Sequence, residues 1–206
     1  MIAIIDYGAG NLRSVVNAFE AIGQKPRVTR DPADLAAAVA VVLPGVGAFG
    51  DGMKTLRQMH MIEALNEEVM GKKKPYLGIC LGLQFLARES SEHGIHQGLG
   101  WVSGTVQKIV PAGGQYRIPH MGWNNIQIVR PCPLFHGLNP EPTFYFVHSY
   151  HLVMDEGKQE IVTATCWHGT TITAGIRQDN IFAVQFHPEK SQENGLKVLE
   201  NFARLL

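Results

Sequence analysis

Cys80 stands in the run Gly78-Ile79-Cys80-Leu81-Gly82, where an apolar strand pattern gives way directly to a helical one. Flanking glycines let a strand and a helix approach closely, so a side chain at such a turn protrudes from a tight, strained corner. The start of a helix favours negative charge, which raises the thiolate fraction of a cysteine placed there. This combination suits nucleophilic attack on a carbonyl carbon, with a buried structural cysteine as the plain alternative. Gln84 follows four residues on, about one helical turn away, and can sit above the same site or be an ordinary polar helix residue.

A thiol nucleophile needs a base, and His187-Pro188-Glu189 offers one 107 positions later, at the end of the strand pattern Ile181 to Phe186. A residue before proline is driven toward extended geometry, and residues i and i+2 of an extended segment point to one side. Glu189 can then hold one imidazole nitrogen while the other faces the thiol, which fixes the tautomer. The chain has nine histidines, most of which must serve as surface or hydrogen-bonded structural residues. Two pairs, His93 with His96 and His148 with His151, suggest a metal. Neither has an HExxH frame or a cysteine cluster nearby, so no metal site is expected.

The stretch from Pro44 to Gly50, PGVGAFG, contains a literal GxGxxG string and has three readings. It can cradle a dinucleotide phosphate, although it follows the third strand and not the first. It can be a plain tight turn. Or backbone N–H groups of Val46 or Gly47, with that of Leu81, can face the oxyanion formed when a thiolate adds to a carboxamide.

These groups need a frame that brings residues 44–50, 80 and 187–189 together. Strand-like runs at Ile2 to Asp6, Pro26 to Thr29, Val39 to Leu43 and Tyr76 to Ile79 alternate with helical spacing, as in Leu12, Val15, Val16, Phe19 and Ile22. That alternation predicts an α/β fold: an open, mostly parallel sheet with helices on both faces. From Gly100 the pattern becomes short β runs: Thr105 to Ile109, Asn125 to Val129, Phe144 to Val147, Ile161 to Trp167, Thr171 to Ile176 and Ile181 to Phe186. Gln178, Asp179 and Asn180 supply a polar turn joining the last two as an antiparallel hairpin. A final helix is expected from about Asn194 to Leu205. The C-terminal half is expected to extend the same sheet, so residues 1–206 form a single domain.

Composition narrows the class. Eighteen basic and eighteen acidic residues give a formal net charge of +0, which gives little support to nucleic-acid binding. No apolar stretch reaches the roughly 18 residues of a membrane helix, and the N-terminus reads as strand and turn and not as a leader, so a cytoplasmic location is expected. Three cysteines, Cys80, Cys132 and Cys166, form neither an even disulfide set nor a close metal pair.

With Cys80 in GICLGLQ, the PGVG loop and the HPE triplet in this order, the chain resembles the triad class, class I, of glutamine amidotransferases along essentially its whole length. DYGAGN at 6–11, HMGWN at 120–124 and HPEKS at 187–191 narrow the likeness to the glutaminase subunits of imidazole glycerol phosphate synthases. The resemblance implies a flavodoxin-like sheet, Cys80 as nucleophile, His187 as base and then acid, and Glu189 as orienter. It implies that Gly47 and Gln84 hold substrate glutamine, assisted by Glu92, Ser149 and Tyr150. No cofactor is implied. Ammonia would pass through a tunnel to a (β/α)8-barrel cyclase subunit in a heterodimer serving histidine biosynthesis, with Trp123 and Lys190 near the interface. Hydrolysis would stay weak until that partner binds its nucleotide, the switch lying in the Val46 loop.

Overall fold

The computed structural model describes residues 1–8, 11–139 and 141–206; Ala9 and Gly10 of the DYGAGN stretch lie outside them. The first half runs β1 (Ile2–Ile5), α1 (Leu12–Ala21), β2 (Arg27–Thr29), α2 (Ala33–Ala37), β3 (Ala40–Gly45), α3 (Phe49–Gln58), α4 (Met61–Leu65), β4 (Tyr76–Cys80) and the short α5 (Leu81–Gln84). The second half is richer in strands: β5 (Glu89–Ser90), β6 (His96–Gln97), β7 (Gly104–Lys108), β8 (His120–Asn125), β9 (Gln127–Ile128), β10 (Thr143–His148) and β11 (Tyr150–Met154). It closes with β12 (Val162–Trp167), β13 (Thr171–Gln178), β14 (Ile181–Val184) and α6 (Gln192–Ala203).

Eight strands form the main sheet in the order β2-β1-β3-β4-β14-β13-β12-β9. The strands from β2 to β14 are parallel, and β13, β12 and β9 add antiparallel neighbours. Successive strand residues face opposite sides, so Ile2 and Ile4 join one core while Ala3 and Ile5 join the other. The first core packs under α1 and α6, where Val15, Phe19, Val198 and Phe202 are buried. The second packs under α3 and α4 through Phe49, Met53, Leu56, Met61 and Leu65.

The C-terminal half departs from the expectation of one extended sheet. β8 and β10 form a separate two-stranded ribbon, and β11, β7, β5 and β6 form a third sheet. The anticipated strand Asn125 to Val129 splits: His120–Asn125 pairs with β10, while Gln127–Ile128 pairs with β12. The apolar run at Ile126, Ile128 and Val129 suggested a single strand, yet only Ile126 is buried. Pairing partners decide strand limits here more than local composition does. The final helix begins at Gln192, two residues ahead of the expected start. In the last hairpin Gln178 pairs with Ile181, so Asp179 and Asn180 alone make the turn.

Candidate active site

The carboxyl ends of three adjacent parallel strands meet at one point. In register, Gly45 of β3 pairs with Cys80 of β4, and Val184 of β14 pairs with Ile79. The glycine loop, the thiol and the segment Gln185 to Glu189 therefore emerge side by side, in the crevice where open α/β sheets place their ligands. Burial of these strands on both faces makes that adjacency rigid.

Cys80 takes φ 54° and ψ −103°, a left-handed turn that an L residue adopts at a cost of about 1–3 kcal/mol. The strain is held by β4 on one side and by α5 on the other. No Cβ fits at Gly82, where it would lie 1.8 Å from the Leu43 carbonyl oxygen. The sharp strand-to-helix turn expected from the sequence is present.

The side chains of His187 and Glu189 are both buried, with Nδ1 of the imidazole 2.8 Å from Oε1 of the carboxylate. The route differs from the extended one expected: Pro188–Lys190 is a 3-10 turn, and the carboxylate folds back to the ring through it. Proline at the first position of a helical turn has the φ that turn needs and no N–H to lose. Ser191 pins the segment, its hydroxyl donating to the His187 carbonyl at 2.6 Å and accepting the Tyr145 N–H at 3.0 Å. The sequence reading assigned nothing to Ser191; its place at the end of HPEKS was the only signal.

Burial alone would lower the His187 pKa, but the Cys80 sulfur beside it, by charge and as a hydrogen-bond partner, together with Glu189, pushes it up to about 10. Nε2 makes no hydrogen bond of full geometry to that sulfur. Such contacts are loose in a resting site and tighten around substrate. The arrangement favours the charged imidazolium of His187. Tyr7 lies in the same neighbourhood, its buried hydroxyl without a partner among the described residues and held protonated by burial and by the charge of Cys80.

A cavity of about 230 Å³ opens above the sulfur, lined by Val46, Gly47, Cys80, Leu81, Gln84, Glu92, Val147, His148, Ser149 and Tyr150. The structure thus gathers the expected loop and pocket residues around Cys80. Gly47 has φ +97°, a conformation glycine adopts freely. Glu92 accepts the Phe49 N–H at 2.7 Å, tying the pocket wall to the start of α3 just past the glycine loop. Larger clefts of about 640 and 590 Å³ lie elsewhere, the first beside Cys132, whose thiol is pushed up by burial. Chemistry, and not size, selects the smaller cavity.

One residue at the centre escaped the sequence reading. Gln185 is buried, its amide nitrogen 3.5 Å from the Cys80 sulfur and its oxygen 3.1 Å from Nε2 of Gln84. A polar amide inside the apolar run Ile181 to Phe186, two positions before His187, was the available clue. Two of the histidines weighed as metal ligands have other duties: His148 bonds to His120 and to the Tyr150 carbonyl, and the His96 ring occupies the space beside Gly50. Among the described residues, no group of three or more His, Cys, Asp or Glu is placed to hold a metal ion. No helix among them is long and apolar enough to cross a membrane. Trp123 is 50% exposed on the ribbon and packs against Tyr145 at 6.0 Å, while Lys190 lies 5.7 Å from the same Tyr145 ring.

Residues 3–205 match the family model for glutamine amidotransferase class-I. Imidazole glycerol phosphate synthase subunit HisH 1 of Campylobacter jejuni is 49% identical, over 100% of both chains. Subunit HisH of Methanothermobacter thermautotrophicus is 50% identical, over 100% of this chain and 99% of its own. Among solved structures, PurLQS from Thermotoga maritima superposes with a TM-score of 0.75 at 18% identity, covering 99% of this chain and 97% of that one. That last likeness speaks for the fold alone. The strained cysteine, the buried imidazole–carboxylate pair and the full-length match converge: the chain belongs to the class-I glutamine amidotransferases, in the HisH family of imidazole glycerol phosphate synthase subunits.

Proposed function

We propose that this HisH-family chain is a glutaminase in which Cys80 is the nucleophile, His187 the base and then the acid, and Glu189 the group that orients the ring. The observation that carries the reading is the shared exit of β4 and β14, which sets a strained thiol beside a buried imidazole raised by that thiol. The thiolate adds to the side-chain carbonyl carbon of glutamine, and the oxyanion is met by N–H groups of Leu81 and of Val46 or Gly47. His187 gives its proton to the departing nitrogen, and ammonia leaves. Water then attacks the glutamyl thioester, its proton passing to His187, and glutamate is released with the thiolate restored. Gly47, Gln84, Glu92, Ser149 and Tyr150 would hold the substrate, as their place around the cavity supports. Turning one peptide of the Val46 loop toward the sulfur would complete the oxyanion site; a nucleotide-bound complex with every loop N–H still turned away would refute that step.

Ammonia becomes largely ammonium in neutral water and stops being a nucleophile, so a dry passage to a partner has a chemical purpose. The partner we infer is a (β/α)8-barrel cyclase subunit of a cytoplasmic heterodimer in histidine biosynthesis. The exposed Met121 and Trp123, with Lys190 alongside Tyr145, form the face we assign to it. One domain over residues 1–206 is supported by a main sheet drawing strands from both halves. The GxGxxG string is then an oxyanion loop and not a dinucleotide site.

The test is glutamate release with and without a cyclase subunit and its nucleotide. Stimulated release that disappears in Cys80→Ala supports the reading. Release surviving that substitution refutes it, as does turnover indifferent to the partner.

A further inference from the structure

A continuous hydrogen-bonded chain runs from the outer ribbon to the sulfur. Asn124 Nδ2 lies 2.9 Å from the Trp167 carbonyl and 3.1 Å from Nε2 of His120. His120 Nδ1 is 2.9 Å from His148 Nε2, and His148 Nδ1 is 2.9 Å from the Tyr150 carbonyl oxygen. Gln84 Nε2 reaches that same oxygen at 2.9 Å and Gln185 Oε1 at 3.1 Å, and Gln185 Nε2 reaches the Cys80 sulfur at 3.5 Å.

The direction of every bond follows from one fact: a carbonyl oxygen can only accept. His148 must therefore carry its proton on Nδ1. Burial, with neighbouring imidazoles adding to it, pushes His148 down to about 3 and His120 to about 4, so both rings are neutral near pH 7. Nε2 of His148 is then an acceptor, His120 must carry its proton on Nδ1, and Nε2 of His120 accepts from Asn124. From the other side, both N–H groups of Gln84 are spent, one on Tyr150 and one on Gln185. Only the oxygen of Gln84 is left to face a ligand, and only the nitrogen of Gln185 can face the sulfur.

We propose that His120, His148 and Gln185 are positioning residues that lock Gln84 with its carbonyl oxygen toward the pocket, ready to accept an N–H of the substrate, and keep an amide N–H on the Cys80 sulfur. Register supports the assignment, since His120 and His148 are direct cross-strand partners and Asn124 shares their face of the ribbon. Phe146 and His168 sandwich the His120 ring at 4.7 and 4.1 Å, so it has no room to turn. From Asn124 through His120 to His148 each bond strengthens the next, and the series ends on the Tyr150 carbonyl, which His148 holds in place as the acceptor that Gln84 shares; loss of His120 loosens that carbonyl and with it Gln84.

The inference rests on Cys80 being the nucleophile, and its test separates the two claims. In the complex with cyclase and nucleotide, His120→Leu raises KM for glutamine about tenfold with kcat changed less than about threefold. His120→Asn, whose amide can donate to His148, recovers KM to within about threefold of wild type. In a Gln84→Leu background His120→Leu adds nothing further, because the two act through one group. Should His120→Leu not fold, Asn124→Ala removes the outermost donor from a partly exposed site and raises KM about threefold. An unchanged KM in the folded variants, multiplication of the His120 and Gln84 effects, or failure of His120→Asn to recover, each with Cys80→Ala inactive, overturns the relay alone. Glutamate release persisting in Cys80→Ala overturns the nucleophile and the relay with it.

Discussion

Gly82 passes so close to Leu43 that a Cβ on the glycine would sit 1.8 Å from the Leu43 carbonyl oxygen, and one on Gly78 would sit 2.6 Å from the Gly82 carbonyl oxygen. These are backbone contacts, which cannot swing aside. Gly82→Ala should lower stability by about 3 kcal/mol or more, seen as a fall in the urea midpoint. A variant within about 0.5 kcal/mol of wild type would show that the elbow is looser than this packing implies.

The raised pKa of His187 makes its protonation state a reporter of the site. A folded value of about 10 against an unfolded value near 6.5 means that the stabilising contribution is fully present below about pH 6.5 and is lost as pH rises through about 10. NMR titration of the His187 ring should therefore show it charged at neutral pH. In Cys80→Ser and in Glu189→Gln the midpoint should move down; an unmoved midpoint in both would detach the ring from its neighbours.

Acid should unfold the protein through a different set of imidazoles. Burial lowers His120 to about 4, His148 to about 3 and His151 to about 4, with nearby imidazoles adding to the first two. Lowered values carry the opposite sign: the unfolded chain binds protons that the folded chain refuses. Stability is complete above about pH 6.5 and declines as pH falls toward 4, with unfolding taking up as many as three protons from this group. Urea midpoints measured from pH 7 to 4 should show this slope, and His151→Phe should reduce it. A flat profile would mean that these rings titrate normally.

The three thiols should separate cleanly under alkylation. Burial pushes Cys132 up and Cys166 up to about 12, leaving both protonated and slow to react near neutral pH. Iodoacetamide at pH 7.5 should add one group to the native protein and none to Cys80→Ala, read by intact mass. Equal labelling of two or three cysteines would contradict this ranking.

The parallel half of the fold was legible because α1 and strands β1 to β4 carry clean periodicities, and the candidate site was legible because Cys80, His187 and Glu189 sit at motif-like positions. What stayed hidden depended on pairing across the chain. The ribbon limits at His120–Asn125 are set by β10, and the 3-10 turn at Pro188–Lys190 replaces an extended segment while reaching the same ring. Gln185 looked like one more strand residue. Nothing in its own neighbourhood shows that Gln84, 101 positions earlier, will fix its amide against the sulfur.

Because Cys80 and the segment bearing His187 leave neighbouring strands, the two side chains are brought together by the insertion of β14 between β4 and β13. During synthesis the thiol emerges from the ribosome 107 residues before the His187 imidazole does. A nascent chain, or one cleaved ahead of residue 181, carries Cys80 without His187. On the mechanism we propose, glutamine turnover waits until the last strand docks and so reports that folding has finished.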